Sequence, residues 1–448
     1  MTFSPGSFVI GFAALAAGVL PTLAGERLTP DAAAAIALEH HPLLRAAARE
    51  TEGAQADVKL ARSGWLPRLD VTEDYVRSTN PVFVFASKLG QREFGPEDFA
   101  IDSLNTPDPF TNATTRVSLQ QSVWDGGRTP AAGRAAERGE EAAHAALARA
   151  RDEIAFGAKR AFWDAVLADE MVAAARDAET SAAANAELAA HLVDEGLAVP
   201  SDRMQGDVRL AEVRALRVRA EQGAIVARAA LGRALGAAGP EEYALEPPPV
   251  DPDDGPSSAP VPEETVAAAL ASRSDLRAFD ARIEQAREGE SIARSGRLPH
   301  VGVGAQYEWN ATSPFGSEGD NWTVGVFLRI PLYDGGEARA RRGRAVADRA
   351  RLEAMRDAMS AGVDLEIRSA ASDRVAAAER LRMATGNVSL SQEALRIVRE
   401  RYSEGLGTVV ELLGAEAAAT QARASKAQAV RDLAVAKAAF DLAVGRKE

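Results

Sequence analysis

The histidines and paired acids are the residues of this chain whose chemistry could support metal binding or catalysis. The five histidines show no spacing typical of a metal site. The adjacent pair His40 and His41 points to different sides of a helix, so we interpret both as residues of a polar helix face. The full set is His40, His41, His144, His191 and His300.

Acidic pairs such as Glu140 and Glu141 fall in a charged helical segment, where carboxylates usually serve solvation. The chain has no cysteine, which excludes thiol catalysis, disulfides, thiolate metal sites and a lipid anchor on an N-terminal cysteine. The sequence therefore predicts neither an enzyme nor a cofactor or metal site.

The chain is organised around a strand that runs into an Asp-Gly-Gly turn, and this arrangement occurs twice. The turn at Asp125 recurs at Asp334, about 209 residues later. The Gly-Leu pairs beginning at Gly196 and Gly405 have the same separation of about 209 residues. This repetition predicts an internal duplication.

Before the turns, the separation between matching segments is larger. The sequence ARSG at residues 61–64 recurs at 293–296, about 232 residues later. The difference predicts roughly 23 extra residues in one loop of the first copy, between Val71 and Val117.

The predicted organisation has four parts: a signal peptide at 1–24, repeat 1 at 25–240, a proline-rich linker at 241–262 and repeat 2 at 263–448. Each repeat is predicted to hold a helix, a strand hairpin and a long helical hairpin. The strand loops fall at 78–113 and 310–320, and the helical tips at 195–201 and 404–408.

The signal peptide is predicted from an apolar run at residues 8–20, too short to span a bilayer, followed by small residues that end at Ala24. No lysine or arginine precedes Arg27, so an apolar helix of the mature protein and a misplaced start codon remain alternatives.

The strands of the second repeat alternate between an apolar and a small or polar face. Aromatic residues lie near the strand ends, as they do at a membrane interface. The residues predicted to face lipid are Val301, Val303, Tyr307, Trp309, Trp322, Val324, Val326 and Leu328.

After each turn the sequence predicts a helix of about 65 residues, on the order of 100 Å long, which reverses into a second helix. No stretch of about 18 apolar residues occurs elsewhere, so contact with a membrane requires strands. Four strands cannot close a barrel, whereas three copies of the chain supply roughly twelve.

The duplicated strand–DGG–helix plan and the two Gly-Leu tips resemble the TolC family of outer membrane efflux proteins over essentially the whole mature chain. The resemblance implies an α+β membrane protein in which four antiparallel strands per chain contribute to a trimeric 12-strand outer-membrane β-barrel. Long antiparallel helical hairpins would form a periplasmic tunnel. The implied partners are a homotrimer, outer-membrane lipid, a periplasmic adaptor (membrane fusion) protein and an inner-membrane pump.

The resemblance also implies roles for the helical tips. Gly196 with Leu197, and Gly405 with Leu406, match the reversals that meet the adaptor in this family. Glycine permits a sharp reversal and leaves backbone exposed for a partner. A plain turn between helices is the alternative.

A pore constriction is implied beside the tips, at Asp202, Tyr402 and Glu411. For the two acids, solvated charges at helix ends are the alternative. Gly407 stands where the family has an arginine, and Glu411 and Gly414 stand where it has two rings of aspartate. We therefore expect fewer ionic contacts to hold the gate closed than in the family, and a resting pore that leaks more.

The resulting functional prediction is an outer-membrane exit duct for efflux or type I secretion, opened by the adaptor and pump. A non-membrane helical scaffold is the alternative. The net charge of −13 argues against a nucleic-acid partner. The sequence does not identify the cargo.

Overall fold

The computed structural model describes residues 27–237, 243–253 and 261–446. The predicted signal peptide at 1–24 lies outside the described residues. The predicted linker at 241–262 is described only at 243–253 and 261–262.

Helices dominate the described residues, and the order of elements repeats. The first half contains β1 (Arg27–Leu28), α1 (Pro30–His40), α2 (Pro42–Ser63), β2 (Arg68–Ser78), α3 (Pro81–Gly90), a 3₁₀ turn (Pro96–Phe99), α4 (Ile101–Asn105), β3 (Phe110–Trp124), α5 (Arg128–Asp194) and α6 (Pro200–Leu235). The second contains β4 (Ala244–Leu245), α7 (Glu263–Ser272), α8 (Ser274–Ser295), β5 (His300–Ala311), β6 (Gly319–Arg329), α9 (Glu337–Ser403) and α10 (Val409–Val444).

The predicted duplication is confirmed by the lengths of matching helices. Helices α5 and α9 each have 67 residues, and α6 and α10 each have 36. None of the described helices is both long and apolar enough to cross a membrane.

The chain divides into two compact units. The tip unit comprises the described parts of Met1–Glu39, Gly157–Asp251 and Leu381–Ala434. The sheet unit comprises those of His40–Phe156, Pro252–Arg380 and Val435–Glu448.

The sheet unit contains one antiparallel sheet in the order β2-β3-β5-β6. Its helical core is built from side chains of α7, α8, α9 and α10, including Val266, Leu276, Ile367 and Phe440. In the tip unit, β1 and β4 form a short parallel pair.

The single helix predicted before the strands of the first repeat is instead two helices, α1 and α2. The break falls at His41, which is extended (φ −65°, ψ 127°) and accepts a hydrogen bond from the Leu43 N–H. Pro42 follows it, and proline pushes the preceding residue out of the helical region. The prediction missed this boundary.

The long helix α5 begins at Arg128, directly after the first Asp-Gly-Gly turn. The capping group is Asp125, whose Oδ2 accepts a 2.8 Å hydrogen bond from the Thr129 N–H. In the second repeat Asp334 accepts one of 2.8 Å from the Ala338 N–H. Both turns therefore use the aspartate of the Asp-Gly-Gly sequence to begin the helix.

The loop predicted at 78–113 contains helices, and β3 begins at Phe110. Asn80 Oδ1 accepts hydrogen bonds of 3.0 and 3.2 Å from the Val82 and Phe83 N–H groups, with Pro81 at the first helical position. Asn80 and Pro81 thus begin α3 inside the predicted loop, because the same residue types favour turns and helix starts.

Candidate functional site

The four-stranded sheet gathers the predicted lipid-facing side chains on one face. The register places Val303 opposite Val326 and Tyr307 opposite Trp322. On β6, Val324 and Val326 are 66% and 72% exposed. The residues of this face that the sequence predicted are Val301, Val303, Tyr307, Trp309, Trp322, Val324, Val326 and Leu328. Along β6 these apolar side chains are therefore open to the surroundings.

Strands β2 and β3 extend this apolar face across the sheet. Val71 pairs with Val117, and Leu69 pairs with Leu119. Val117 in turn lies opposite Tyr307. Leu69 and Val71 are 66% and 63% exposed, so the face remains apolar and uncovered at the β2 edge.

The opposite face of the sheet is polar. Arg116 Nε donates to Glu308, and the Arg116 guanidinium lies 3.8 Å from the Asp74 carboxylate. Asn112 Nδ2 donates a 3.0 Å hydrogen bond to Asn310 Oδ1. Charged and amide groups of neighbouring strands thus satisfy one another, as expected for a surface in contact with water.

Phe327 lies on this polar face, where alternation alone predicts a small or polar residue. A Cβ at Gly304 would lie 3.0 Å from its ring, and one at Gly325 would lie 3.1 Å from it. The ring therefore covers two glycines, which shields backbone that has no side chain of its own.

Both edges of the sheet are open in the described chain. Strand β2 pairs only with β3, and β6 pairs only with β5. An edge strand presents unpaired N–H and C=O groups, which hydrocarbon does not tolerate. The sheet therefore combines an apolar face with two edges, at β2 and β6, that are available for pairing with further strands.

In the tip unit, both long helices end in the same reversal. Gly196 and Gly405 have left-handed φ values of +76° and +72°. The following Leu197 and Leu406 N–H groups each donate a 2.8 Å hydrogen bond five residues back, to the carbonyl oxygens of Leu192 and Arg401. This pattern is a Schellman motif, for which a left-handed glycine is well suited.

The reversals leave the two tip leucines in solvent. Leu197 is 66% exposed and Leu406 is 65% exposed. Each follows its glycine directly, so the matching positions present matching apolar side chains.

Tyr402 lies in the core of the tip unit, packed with Leu192, Val409 and Leu412. Only 2% of the residue is exposed. Burial raises the pKa of Tyr402, and the negative charge of Asp202 raises it further. The structure brings these two predicted residues together, but the ring faces the core in this conformation, and its role in a constriction stays a prediction.

The two acids of the predicted constriction, Glu411 and Asp202, make different contacts. Glu411 Oε2 accepts a 3.0 Å hydrogen bond from the Thr408 N–H, and Thr408 Oγ1 accepts one of 3.3 Å from the Glu411 N–H. This reciprocal pair is a capping box that begins α10. Asp202 lies in the first turn of α6, where Val199 occupies the cap without an accepting side chain. Asp202 thus carries no comparable capping bond.

A buried polar cluster near the tips was missed by the sequence interpretation. Glu416 is 1% exposed, and its Oε2 accepts a 2.6 Å hydrogen bond from Asn185 Nδ2. Arg399 donates to Asn185 Oδ1 at 3.2 Å and to Ser181 Oγ at 2.7 Å. Burial raises the pKa of Glu416, although the Asn185 hydrogen bond and the charges of Arg209 and Arg399 oppose that shift. The available signal was an isolated polar residue within each of two alanine runs.

No group of three or more His, Asp or Glu side chains suited to hold a metal ion occurs within residues 27–237, 243–253 and 261–446.

A two-faced sheet, joined twice to a long helical hairpin, defines the class of this protein as an outer-membrane channel subunit. The chain belongs to the outer membrane efflux protein family, because that family's model matches residues 34–237 and 265–446. One match falls on each repeat. The resemblance to the TolC family is thereby confirmed.

Relatives agree with this assignment. The chain is 25% identical to Protein CyaE of Bordetella pertussis over 389 residues, which cover 85% of this chain and 76% of CyaE. The fold is similar to that of the Campylobacter jejuni CmeC outer membrane channel (TM-score 0.79, 17% identity, 93% of this chain and 85% of CmeC). It is also similar to the Vibrio cholerae outer membrane protein VceC (TM-score 0.75, 21% identity, 93% of this chain and 96% of VceC).

Proposed function

We propose that three copies of this chain form an outer-membrane exit duct, a passive conduit opened by a periplasmic adaptor and an inner-membrane pump. The observation that carries the proposal is the sheet, which combines an exposed apolar face, a polar opposite face and two open edges. Pairing the β2 edge of one chain with the β6 edge of the next satisfies both edges. Three chains then supply about twelve strands, enough to enclose a watery lumen.

In this arrangement the apolar face contacts lipid and the polar face lines the lumen. The helical hairpins then lie in the periplasm, with the adaptor meeting the exposed Leu197 and Leu406 at the tips. The duct serves efflux or type I secretion, and the pump and adaptor select the cargo.

The alternative function, a helical scaffold outside the membrane, does not explain such a sheet. A scaffold would cover its apolar strands with its own helices. Here Trp322 is 70% exposed and Leu328 is 63% exposed. Exposure of large apolar side chains in a row along one strand favours the membrane interpretation.

Neighbouring positions of β6 provide a matched test of the lipid face. Val324→Arg places a charge on the apolar face, which costs about 2–4 kcal/mol near the bilayer midplane. Thr323→Arg places the same charge on the polar face, where water solvates it. We expect V324R to lower sharply the amount of trimer in the outer-membrane fraction, measured on unheated gels, and T323R to stay close to wild type.

Two outcomes contradict the proposal. One is an equal effect of the two substitutions, since the faces would then not differ in their surroundings. The other is a wild-type oligomer recovered in the soluble fraction, which favours the scaffold.

A further inference from the structure

The buried polar cluster of the tip unit lacks one hydrogen bond. Glu416 is 1% exposed, and its Oε2 accepts a 2.6 Å hydrogen bond from Asn185. Its other oxygen, Oε1, has no hydrogen-bond partner. A neutral carboxylic acid costs much less to bury in this way than a charged carboxylate. The arrangement seen here therefore fits the protonated form of Glu416.

Two arginines near Glu416 carry the charge that its ionised form needs, but neither donates a hydrogen bond to it. Arg399 donates instead to neutral side chains of α5, among them Asn185 Oδ1 at 3.2 Å. Arg209 of α6 donates to Glu212 at 3.3 Å, and its buried Nε has no hydrogen-bond partner. Burial raises the pKa of Glu416, and the charges of Arg209 and Arg399 oppose that rise only in part. Arg209 is thus a cation with a donor to spare.

A cleft of about 760 Å³ lies beside the cluster, and Glu416 and Arg399 are among the residues that line it. The other charged groups of its lining are ion-paired with one another. These pairs are Arg423 with Asp177 at 2.8 Å and Arg396 with Glu400 at 2.6 Å. They are therefore already neutralised, and the cleft offers water and protons a path toward the cluster.

The polar cluster adjoins the apolar core that holds Tyr402. Leu412 precedes Glu416 by four residues on α10, and Tyr402 follows Arg399 by three on α9, so each pair shares a helix face. Leu412 and Tyr402 pack together with Val409 in that core. The hydrogen bond that joins Glu416 to α5 therefore lies next to the packing around Tyr402.

We propose that Glu416 is a proton-controlled switch of the packing in the tip unit. Protonated Glu416 keeps its hydrogen bond to Asn185, and Tyr402 stays in the core. Ionised Glu416, having released its proton to water, leaves Asn185 and pairs with Arg209 of α6, because a buried carboxylate without a counter-charge is strongly destabilising. This exchange loosens α10 from α5 and admits solvent to the core beside it. A rise in pH therefore favours the loosened arrangement.

The switch itself rests on the geometry of the tip unit. Its use in transport rests on the proposed function, since the tips of the duct are where the adaptor would bind. A looser tip unit at higher pH then opens more readily.

The absence of cysteine from the chain allows a direct test. Val409→Cys places a single thiol in the core, at a residue that is 3% exposed. Its rate of reaction with a maleimide is measured on the purified full-length protein at pH 5 and pH 8. Each rate is divided by that of Leu197→Cys at the exposed tip, which cancels the pH dependence of thiol reactivity. We expect this ratio to rise at least about fivefold from pH 5 to pH 8.

Three further substitutions in the V409C background assign the effect. Glu416→Gln cannot ionise and should abolish the rise. Arg209→Gln removes the ion-pair partner and should suppress it. Arg219→Gln, at an exposed position of the same helix, is the matched control and should leave the rise unchanged.

The proposed switch is wrong if the ratio does not change with pH, if it rises equally in E416Q, or if R209Q keeps the full rise. Leu412→Cys, at a residue that is 0% exposed, replaces V409C if that variant does not fold. The duct fails separately. A purified chain that forms no channel in planar bilayers contradicts the duct, and the labelling ratio still decides the switch.

Discussion

Glu416 shows how burial and charge oppose each other in the tip unit. Its carboxylate is buried, with one oxygen bonded to Asn185 and the other, Oε1, without a hydrogen-bond partner. An ionised carboxylate in such a place costs free energy, and this is the physical cause of its raised pKa. Asn185 and the nearby arginines reduce that cost without removing it.

This conflict predicts a pH dependence of stability. The folded chain holds the Glu416 proton more tightly than the unfolded chain does. The contribution of protonated Glu416 to the stability of the folded chain is therefore fully present below the ordinary glutamate pKa, about 4.3. It is lost as the pH rises through the raised pKa of the folded chain. Glu416→Gln keeps the side chain neutral and its oxygen available to Asn185. We expect the Tm of E416Q, relative to wild type, to increase from pH 4 to pH 8 in thermal unfolding of the purified protein.

Glu404→Gln, in the exposed turn directly after α9, is the control and should show no such trend. Parallel Tm curves for E416Q and wild type across this pH range would show that burial of Glu416 does not control its proton.

At the scale of elements, the long helical hairpins combine a common reversal with different helix starts. Both reversals use a left-handed glycine, whereas the returning helices begin differently, with Pro200 in α6 and the Thr408–Glu411 capping box in α10. The capping box makes Glu411 part of the helix start. The two reversals therefore present matching exposed leucines, although the helices that follow them begin in different ways.

The exposed leucines predict an adaptor contact that can be broken without loss of the trimer. Burying a leucine in an interface contributes about 1.5–3 kcal/mol, so Leu197→Asp combined with Leu406→Asp should weaken adaptor binding by at least about tenfold. The measurement is the amount of adaptor that copurifies with crosslinked trimer. Leu390→Asp, at an α9 residue that is 71% exposed, is the matched control. Equal adaptor loss in L390D would remove the tips from the interface.

At the scale of the whole molecule, closure of the resting duct depends on the residues of the predicted constriction. Three residues are predicted to form the constriction. Tyr402 is buried in the core and Glu411 caps a helix, whereas Asp202 has neither of these structural roles. Gly407 and Gly414 supply no charge. We infer a resting state with few ionic ties across the pore.

This inference predicts a measurable resting current for the purified trimer in planar bilayers. Gly414→Asp adds a ring of three carboxylates, and the position has room, since a Cβ there meets nothing within 4 Å. The ring should shift the resting current toward cations. Gly386→Asp, on α9 and equally open, is the control. A wild-type trimer that closes completely at rest would contradict the expectation.

The sequence by itself determined the duplication, the strands with their two faces, the long helices and the glycine reversals. These features are local or periodic, so alternation and turn residues encode them within short stretches of chain. The tertiary structure decided the burial of Tyr402, the packing of α3 against the end of the sheet and the cluster around Glu416. Each of these depends on partners distant in the chain, such as Asn185 and Glu416 at 231 residues apart. The pattern within one segment does not specify which distant segment packs against it. Packing and the hydrogen bonding of buried polar groups determine that contact.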